Sequence, residues 1–319
     1  MLKSKLATMV LAFVLIISLL PKESKAYMEE RFAGDNRYDT ASILSQVSWQ
    51  GGAEQVVLAR GDDFADALAS TPFAAKINAP ILLTKDTHLP DETISEIRRL
   101  GADKVWVMGG PNAISESVIT RLKNEAHVGV ERIAGKNREE TSLKVAELLG
   151  TSHQEAIVVN KEKFPDAIAI GPYAALKQIP IILTHHSKLT TESKSLLQKA
   201  GKTYFIGGEA VLADSLMQEV RNGERIAGEN RYVTAVRIAD RFFPTSYYPI
   251  IATGEDFADG LTGSLLAAKR NQPILLVQQN KVDVSVKRFF YNRDIKEYTV
   301  LGGYNAVDQY IYYKIVEGR

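Results

Sequence analysis

A ten-residue signature written three times constrains this chain more than any other feature. The copies are Arg31-Phe-Ala-Gly-Asp-Asn-Arg-Tyr-Asp-Thr40, Arg132-Ile-Ala-Gly-Lys-Asn-Arg-Glu-Glu-Thr141 and Arg225-Ile-Ala-Gly-Glu-Asn-Arg-Tyr-Val-Thr234. They start 101 and 93 residues apart, which is the length of a small domain and not of a short solenoid repeat. A chain of 319 residues therefore reads as three similar domains, each long enough to bury a core.

The same elements follow each copy. Apolar residues at helical spacing come first, clearest at Ala235, Ile238, Ala239 and Phe242. A strand is expected at 55–59, 156–160 and 249–253. Next come Gly61-Asp-Asp-Phe-Ala-Asp66, Lys161-Glu-Lys-Phe-Pro-Asp166 and Gly254-Glu-Asp-Phe-Ala-Asp259, each opening a helix of small residues. Unbroken apolar runs after Pro80, Pro180 and Pro273 predict strands buried on both faces, as in a parallel sheet. An amphipathic helix (91–100, 190–200, 282–292) leads to a strand ending in paired glycine at Gly109-Gly110, Gly207-Gly208 and Gly302-Gly303. A last helix closes each unit (115–125, 211–222, 306–316). The fold class is α/β, three small doubly wound parallel-sheet domains. The junctions are too short for tethers, so the domains pack together with pseudo-threefold symmetry. The expected limits are 27–130, 131–223 and 224–319.

Residues 1–26 read as a signal peptide: Lys3 and Lys5, an apolar run from Leu6 to Leu20, and a Ser24-Lys25-Ala26 cleavage site. Its removal leaves 35 basic against 37 acidic residues, a formal charge of −2. General attraction to nucleic acid is thereby excluded, and an anionic partner must meet a local basic site. Cysteine is absent, so disulfides, thiolate catalysis and Cys-based zinc are excluded. Retention at a surface is expected to be non-covalent.

The signature, the Phe-x-Asp opening, the Pro-Ile-Leu-Leu strand and the Gly-Gly strand end resemble, in that order, the cell wall binding repeat 2 family. The resemblance covers essentially all of the chain after the leader. It implies a three-lobed module that holds surface proteins of Gram-positive bacteria on the wall by binding anionic secondary wall polymers. Members usually carry a further domain, such as a wall hydrolase. Two departures stand out: Lys161 replaces the loop glycine in the second copy, and Gly260 stands where the first two carry Ala67 and Ala167.

Gly34, Gly135 and Gly228 suit a turn before a helix, and Asn36, Asn137 and Asn230 suit N-caps. Arg37, Arg138 and Arg231 then occupy the first helical turn, where the dipole disfavours a cation. Two partners are open to them: the recurring Asp66, Asp166 and Asp259, as a structural interface pair, or an external anion. Arg31, Arg132 and Arg225 admit the same two readings. Ligands of open parallel sheets lie beyond the carboxyl strand ends. That edge offers Gly61, Asp62, Lys161, Lys163 and Gly254 together with the three glycine pairs as polymer-binding candidates. Neither a dinucleotide nor a phosphate-loop motif is present, so no cofactor is expected. Asp62, Asp63 and Asp66 could furnish a glycosidase pair, yet the loop is triplicated and Lys161 and Lys163 interrupt it. The five histidines do not recur in register, and no metal site is expected. The sequence thus points to a non-catalytic wall-associated protein binding an anionic glycopolymer, or to an accessory protein that docks to a wall hydrolase.

Overall fold

A computed structural model describes residues 28–64, 66–150 and 154–317; the expected leader lies outside them. Three four-stranded parallel sheets form. The first holds β2 (Gln55–Arg60), β3 (Ile81–Thr84), β4 (Lys104–Met108) and β5 (Gly129–Ile133) in the order β3-β2-β4-β5. The second repeats it with β6 (Glu155–Asn160), β7 (Ile181–Thr184), β8 (Lys202–Ile206) and β9 (Gly223–Ile226) as β7-β6-β8-β9. The third holds β10 (Ile250–Thr253), β11 (Ile274–Val277) and β12 (Glu297–Leu301), and its fourth strand is β1 (Met28–Phe32), paired in parallel with β12.

Sheet and sequence repeat are therefore out of step by one strand. The strand carrying Arg132 completes the first sheet, and that carrying Arg225 completes the second. The strand carrying Arg31 completes the third, 269 residues away across the register Arg31↔Val300. The limits expected at 130/131 and 223/224 fall inside or beside β5 and β9.

The signature builds a helix start in each unit. Asn36, Asn137 and Asn230 cap α1 (Arg37–Ser48), α5 (Arg138–Leu149) and α9 (Arg231–Phe242), accepting backbone N–H groups. The hydroxyl oxygens of Thr40, Thr141 and Thr234 accept from the amides of Gly34, Gly135 and Gly228 at 2.9–3.0 Å. A Cβ on any of these glycines would lie 2.4 Å from the following helix turn, so close approach, and not a left-handed φ, demands glycine.

The helices after the second motif are α2 (Thr71–Lys76), α6 (Pro165–Lys177) and α10 (Ala258–Arg270). The first is shorter than its sequence suggests because 66–70 forms turns in which the Ser70 hydroxyl donates to the Ala67 carbonyl at 2.6 Å. These three helices pack on one another about the pseudo-threefold axis. A Cβ on Gly171 would come within 2.9 Å of Ser264 and 4.0 Å of Thr71, one residue from each helix. Each also reaches the next unit's signature helix: Lys76 donates to the carbonyls ending α5, the Tyr173 ring stacks on Phe242 of α9 at 3.9 Å, and Lys269 donates to Ser48 of α1. One apolar core accordingly draws buried residues from all three units.

The closing helix α4 (Glu116–Arg121) runs on as a π-helical turn over Leu122–Ala126 and so has the expected length, whereas α8 (Ser215–Gln218) and α12 (Ile311–Val316) are shorter than expected. Before each, the amides of Ile114, Leu212 and Val307 donate to the carbonyl of the second glycine at 2.9–3.0 Å. This turn seats an aliphatic side chain fully in the core, and in the second and third units the helix begins later than expected. The remaining helices are α3 (Asp91–Leu100), α7 (Thr191–Lys199) and α11 (Val284–Asn292).

Candidate ligand-binding site

The carboxyl ends of β2, β6 and β10 converge on the axis, where Phe64, Phe164 and Phe257 form a triangle with ring centroids 5.5, 5.7 and 6.2 Å apart. Around it lie the three signature arginines, each over the ring of the unit before it. Arg138 lies 5.9 Å from Phe64, Arg231 5.9 Å from Phe164 and Arg37 5.8 Å from Phe257. Aromatic faces attract guanidinium groups at such separations. Each arginine also donates to the carbonyl after the next strand of its own unit: Arg37 to Gly61, Arg138 to Lys161 at 2.9 Å, Arg231 to Gly254. These two contacts hold a cation at a helix N-terminus that would repel it.

The recurring aspartates face the arginine of the following unit, not their own. Arg138 acts on Asp66, Arg231 on Asp166 and Arg37 on Asp259. Among the described residues none of these pairs closes to an ion pair. Burial pushes Asp166 up to about 7 against the pull of Arg231. It pushes Asp259 to about 6, helped by Asp256 and opposed by Arg37. Asp66 is also raised by burial, with a Thr141 hydrogen bond and Arg138 opposing.

The first glycine of each pair makes room for these carboxyls. Gly109, Gly207 and Gly302 have φ of +95°, +119° and +93°, and a Cβ would sit 2.6, 2.6 and 2.2 Å from an oxygen of Asp66, Asp166 and Asp259. The second glycines, Gly110, Gly208 and Gly303, meet nothing closer than 3.9 Å. Arg132 and Arg225 donate to the carbonyls of Gly109 (2.8 Å) and Gly207 (2.5 Å), and Arg31 to that of Gly302 (2.9 Å). These arginines therefore tie the fourth strand of each sheet to its neighbour and do not meet the aspartates.

The loops differ in their charges. Asp62 is held by Arg60, which keeps its carboxyl below the usual range. Arg37 pairs with Asp256 at 2.9 Å. The residue corresponding to Asp256 in the second loop is Lys163, which is exposed, and among the described residues Arg231 forms no ion pair. At the junction of the second and third units the position of that acid therefore carries an exposed lysine, and Arg231 faces the buried Asp166. Lys161 has a local cause. In its siblings, Gly61 and Gly254 leave room for the rings of Tyr38 and Tyr232, whereas the second copy has Glu139, whose carboxylate meets Lys161 Nζ at 3.1 Å. Gly260 is likewise required, because a Cβ there would lie 2.5 Å from Ile168.

A groove of about 760 Å³ lies elsewhere, between α5 and α7, lined by Lys136, Glu140, Leu143, Lys144, Leu196 and Lys199 among others. Gly150 ends α5 where the corresponding caps are the buried Trp49 and Phe243. Its Glu139 is spent on Lys161 and the His185 amide. No metal-holding cluster of His and acidic residues occurs among the described residues, and no described helix is long and apolar enough to cross a membrane.

Three tandem copies of one small α/β unit closed around an axis are what this fold defines. The chain belongs to the Cell wall binding domain 2 (CWB2) family, which matches residues 31–119, 132–217 and 225–312. It is 34% identical over 281 residues to the amidase enhancer of Bacillus subtilis (strain 168), covering 87% of this chain and 39% of that protein. To N-acetylmuramoyl-L-alanine amidase LytC of the same organism it is 26% identical over 307 residues, covering 96% and 61%. The chain therefore spans less than two thirds of the length of either relative. Its structure is similar to Cwp8 from Clostridium difficile (TM-score 0.80, 29% identity, 91% of this chain and 51% of that chain). It is also similar to Cwp6 from the same organism (TM-score 0.81, 26% identity, 87% and 46%).

Proposed function

We propose that this chain is a secreted, non-catalytic wall-binding protein that grips an anionic wall glycopolymer at the carboxyl strand ends around the axis. The observation that carries this reading is the second–third junction, where Arg231 has no ion-pair partner among the described residues and Lys163 stands at the loop position of Asp256, the acid that pairs with Arg37. A phosphate or carboxylate of the polymer supplies the missing charge there. Three related junctions on one rigid body gain from effective concentration when facing a repeating chain. The test is sedimentation with purified wall before and after its anionic polymer is stripped. Binding should fall on stripping and with salt. The pair Arg231→Ala and Lys163→Ala should weaken binding to intact wall by about tenfold, near 1.4 kcal/mol. Undiminished binding to stripped wall would refute this reading.

The likeness to an amidase enhancer and to an amidase favours a second reading, an accessory protein that docks to a wall hydrolase. Co-purification of a hydrolase from a wall extract free of polymer supports it, and its absence counts against it.

A further inference from the structure

The three units provide their own controls, and the third departs from the others on one outer face. Five exposed positions can be matched across them through the buried leucine or valine before α3, α7 and α11 and through the glycine pairs. In the first unit they are Asp91, Arg98, Pro111, Ser117 and Thr120; in the second, Thr191, Gln198, Glu209, Ser215 and Gln218. In the third they are Val284, Tyr291, Tyr304, Tyr310 and Tyr313, each more than half exposed. All fifteen residues are exposed, so burial does not explain the change, and two sister units fold without any of these rings. An apolar face confined to one copy marks a contact surface.

Its geometry suits sugar rings. Tyr304 follows Gly302-Gly303 at the carboxyl edge of the third sheet, with Arg31 4.8 Å from its ring on one side and 60% of the residue open. Tyr310, the residue before α12, and Tyr313 on α12 have ring centroids 6.3 Å apart. Asp308 links the two parts, since its carbonyl accepts from Arg31 and its carboxylate from the Tyr310 amide. The Lys287 ammonium donates to the Glu317 carbonyl, which lays α11 beside α12. Three of the cations nearby are engaged, Arg31 by Glu29, Lys314 by Asp308 and Lys287 by that carbonyl, while Arg288 is exposed on the same stripe of α11 as Val284 and Tyr291. At Tyr304, Tyr310 and Tyr313 themselves an uncharged ring with an apolar C–H face can lie on tyrosine while its hydroxyls reach water or the phenol oxygens.

We infer that the tyrosine face of the third unit, Tyr304, Tyr310 and Tyr313, binds uncharged pyranose rings of wall glycan, extending the axial polymer site outward. The inference rests on the wall-polymer reading, but its test separates the two. Full-length protein is sedimented with sacculi stripped of anionic polymer, in high salt. A variant carrying Tyr304→Ala, Tyr310→Ser and Tyr313→Thr, the last two being the first unit's own residues, should lose this salt-resistant binding by about tenfold and keep its melting temperature. Tyr310→Phe with Tyr313→Phe should retain it. The variant should leave the salt-sensitive binding to intact wall, which Arg231 and Lys163 report, largely in place, so either reading can fail alone. Equal sedimentation of wild type and triple variant overturns the inference. So does absence of salt-resistant binding by the wild type, or a triple variant that keeps the glycan but no longer captures a protein from wall extract.

Discussion

At the scale of single residues, the axial carboxyls set the pH response. In the unfolded chain Asp166 and Asp259 lose their protons near pH 4, whereas burial raises them to about 7 and about 6 in the fold. Between these values the native state holds more protons than the unfolded state, so these two groups make stability fall as pH rises from 4 to 7 and leave it level above. Urea titrations at steps across that range should show the decline, and Asp166→Asn should flatten most of it while stabilising the protein at pH 8. The glycine facing that carboxyl makes a second prediction. Gly207→Ala forces a Cβ onto Asp166 at φ +119° and should cost on the order of 2 kcal/mol. Gly110→Ala, with open space around it, should be near neutral in the same urea titrations. The sequence marked Asp166 and both glycines as recurrent but could not tell their roles apart. Recurrence reports that a position is constrained, whereas the cause, a carboxyl from another motif lying against one glycine of the pair, exists only after folding. Lys161 shows the same limit, since its compensating residue is Glu139, 22 positions away.

At the scale of elements, the strands and most helices were legible because their periodicity is local. The Pro-led apolar runs became the buried strands β3, β7 and β11, and the N-caps fell where asparagine sat. Strand pairing was not legible, because a parallel partner is chosen by tertiary packing. That is why β1, read with the first unit, closes the sheet of the third. The consequence can be measured at Arg31, whose guanidinium donates to the carbonyls of Gly302 and Val307 at 2.9 Å each. Arg31→Ala should leave both partly buried acceptors without their charged donor and cost about 2 kcal/mol. Amide exchange should then quicken along β12 and α12 while β2 and β3 stay protected. Loosening near residues 55–84 instead would show that β1 stabilises the unit in which its repeat begins.

At the scale of the whole molecule, three sheets share a core instead of merely touching. The axial helices meet through Thr71, Gly171 and Ser264, the phenylalanine triangle closes one end of that packing, and Lys76, Tyr173 and Lys269 each reach the next unit's signature helix. With β1 returning to the third sheet, the ring of contacts has no free end at which one lobe could unfold at little cost to the others. The short junctions and the triplication announced packing about a pseudo-threefold axis, but not that β1 would close the ring by joining the third sheet, because a parallel partner is chosen by tertiary packing. The chain should therefore unfold in one calorimetric transition despite its three repeats. Ile168 is the residue with which to challenge this, since it is buried on α6 and packs against Gly260 of the third unit. Ile168→Ala opens a cavity between units and should cost about 3 kcal/mol. If the units are coupled as the packing requires, that loss lowers the single transition of the entire molecule. A melt that splits, with the first unit unfolding at its original temperature, would mean that the lobes are independent bodies resting on one another.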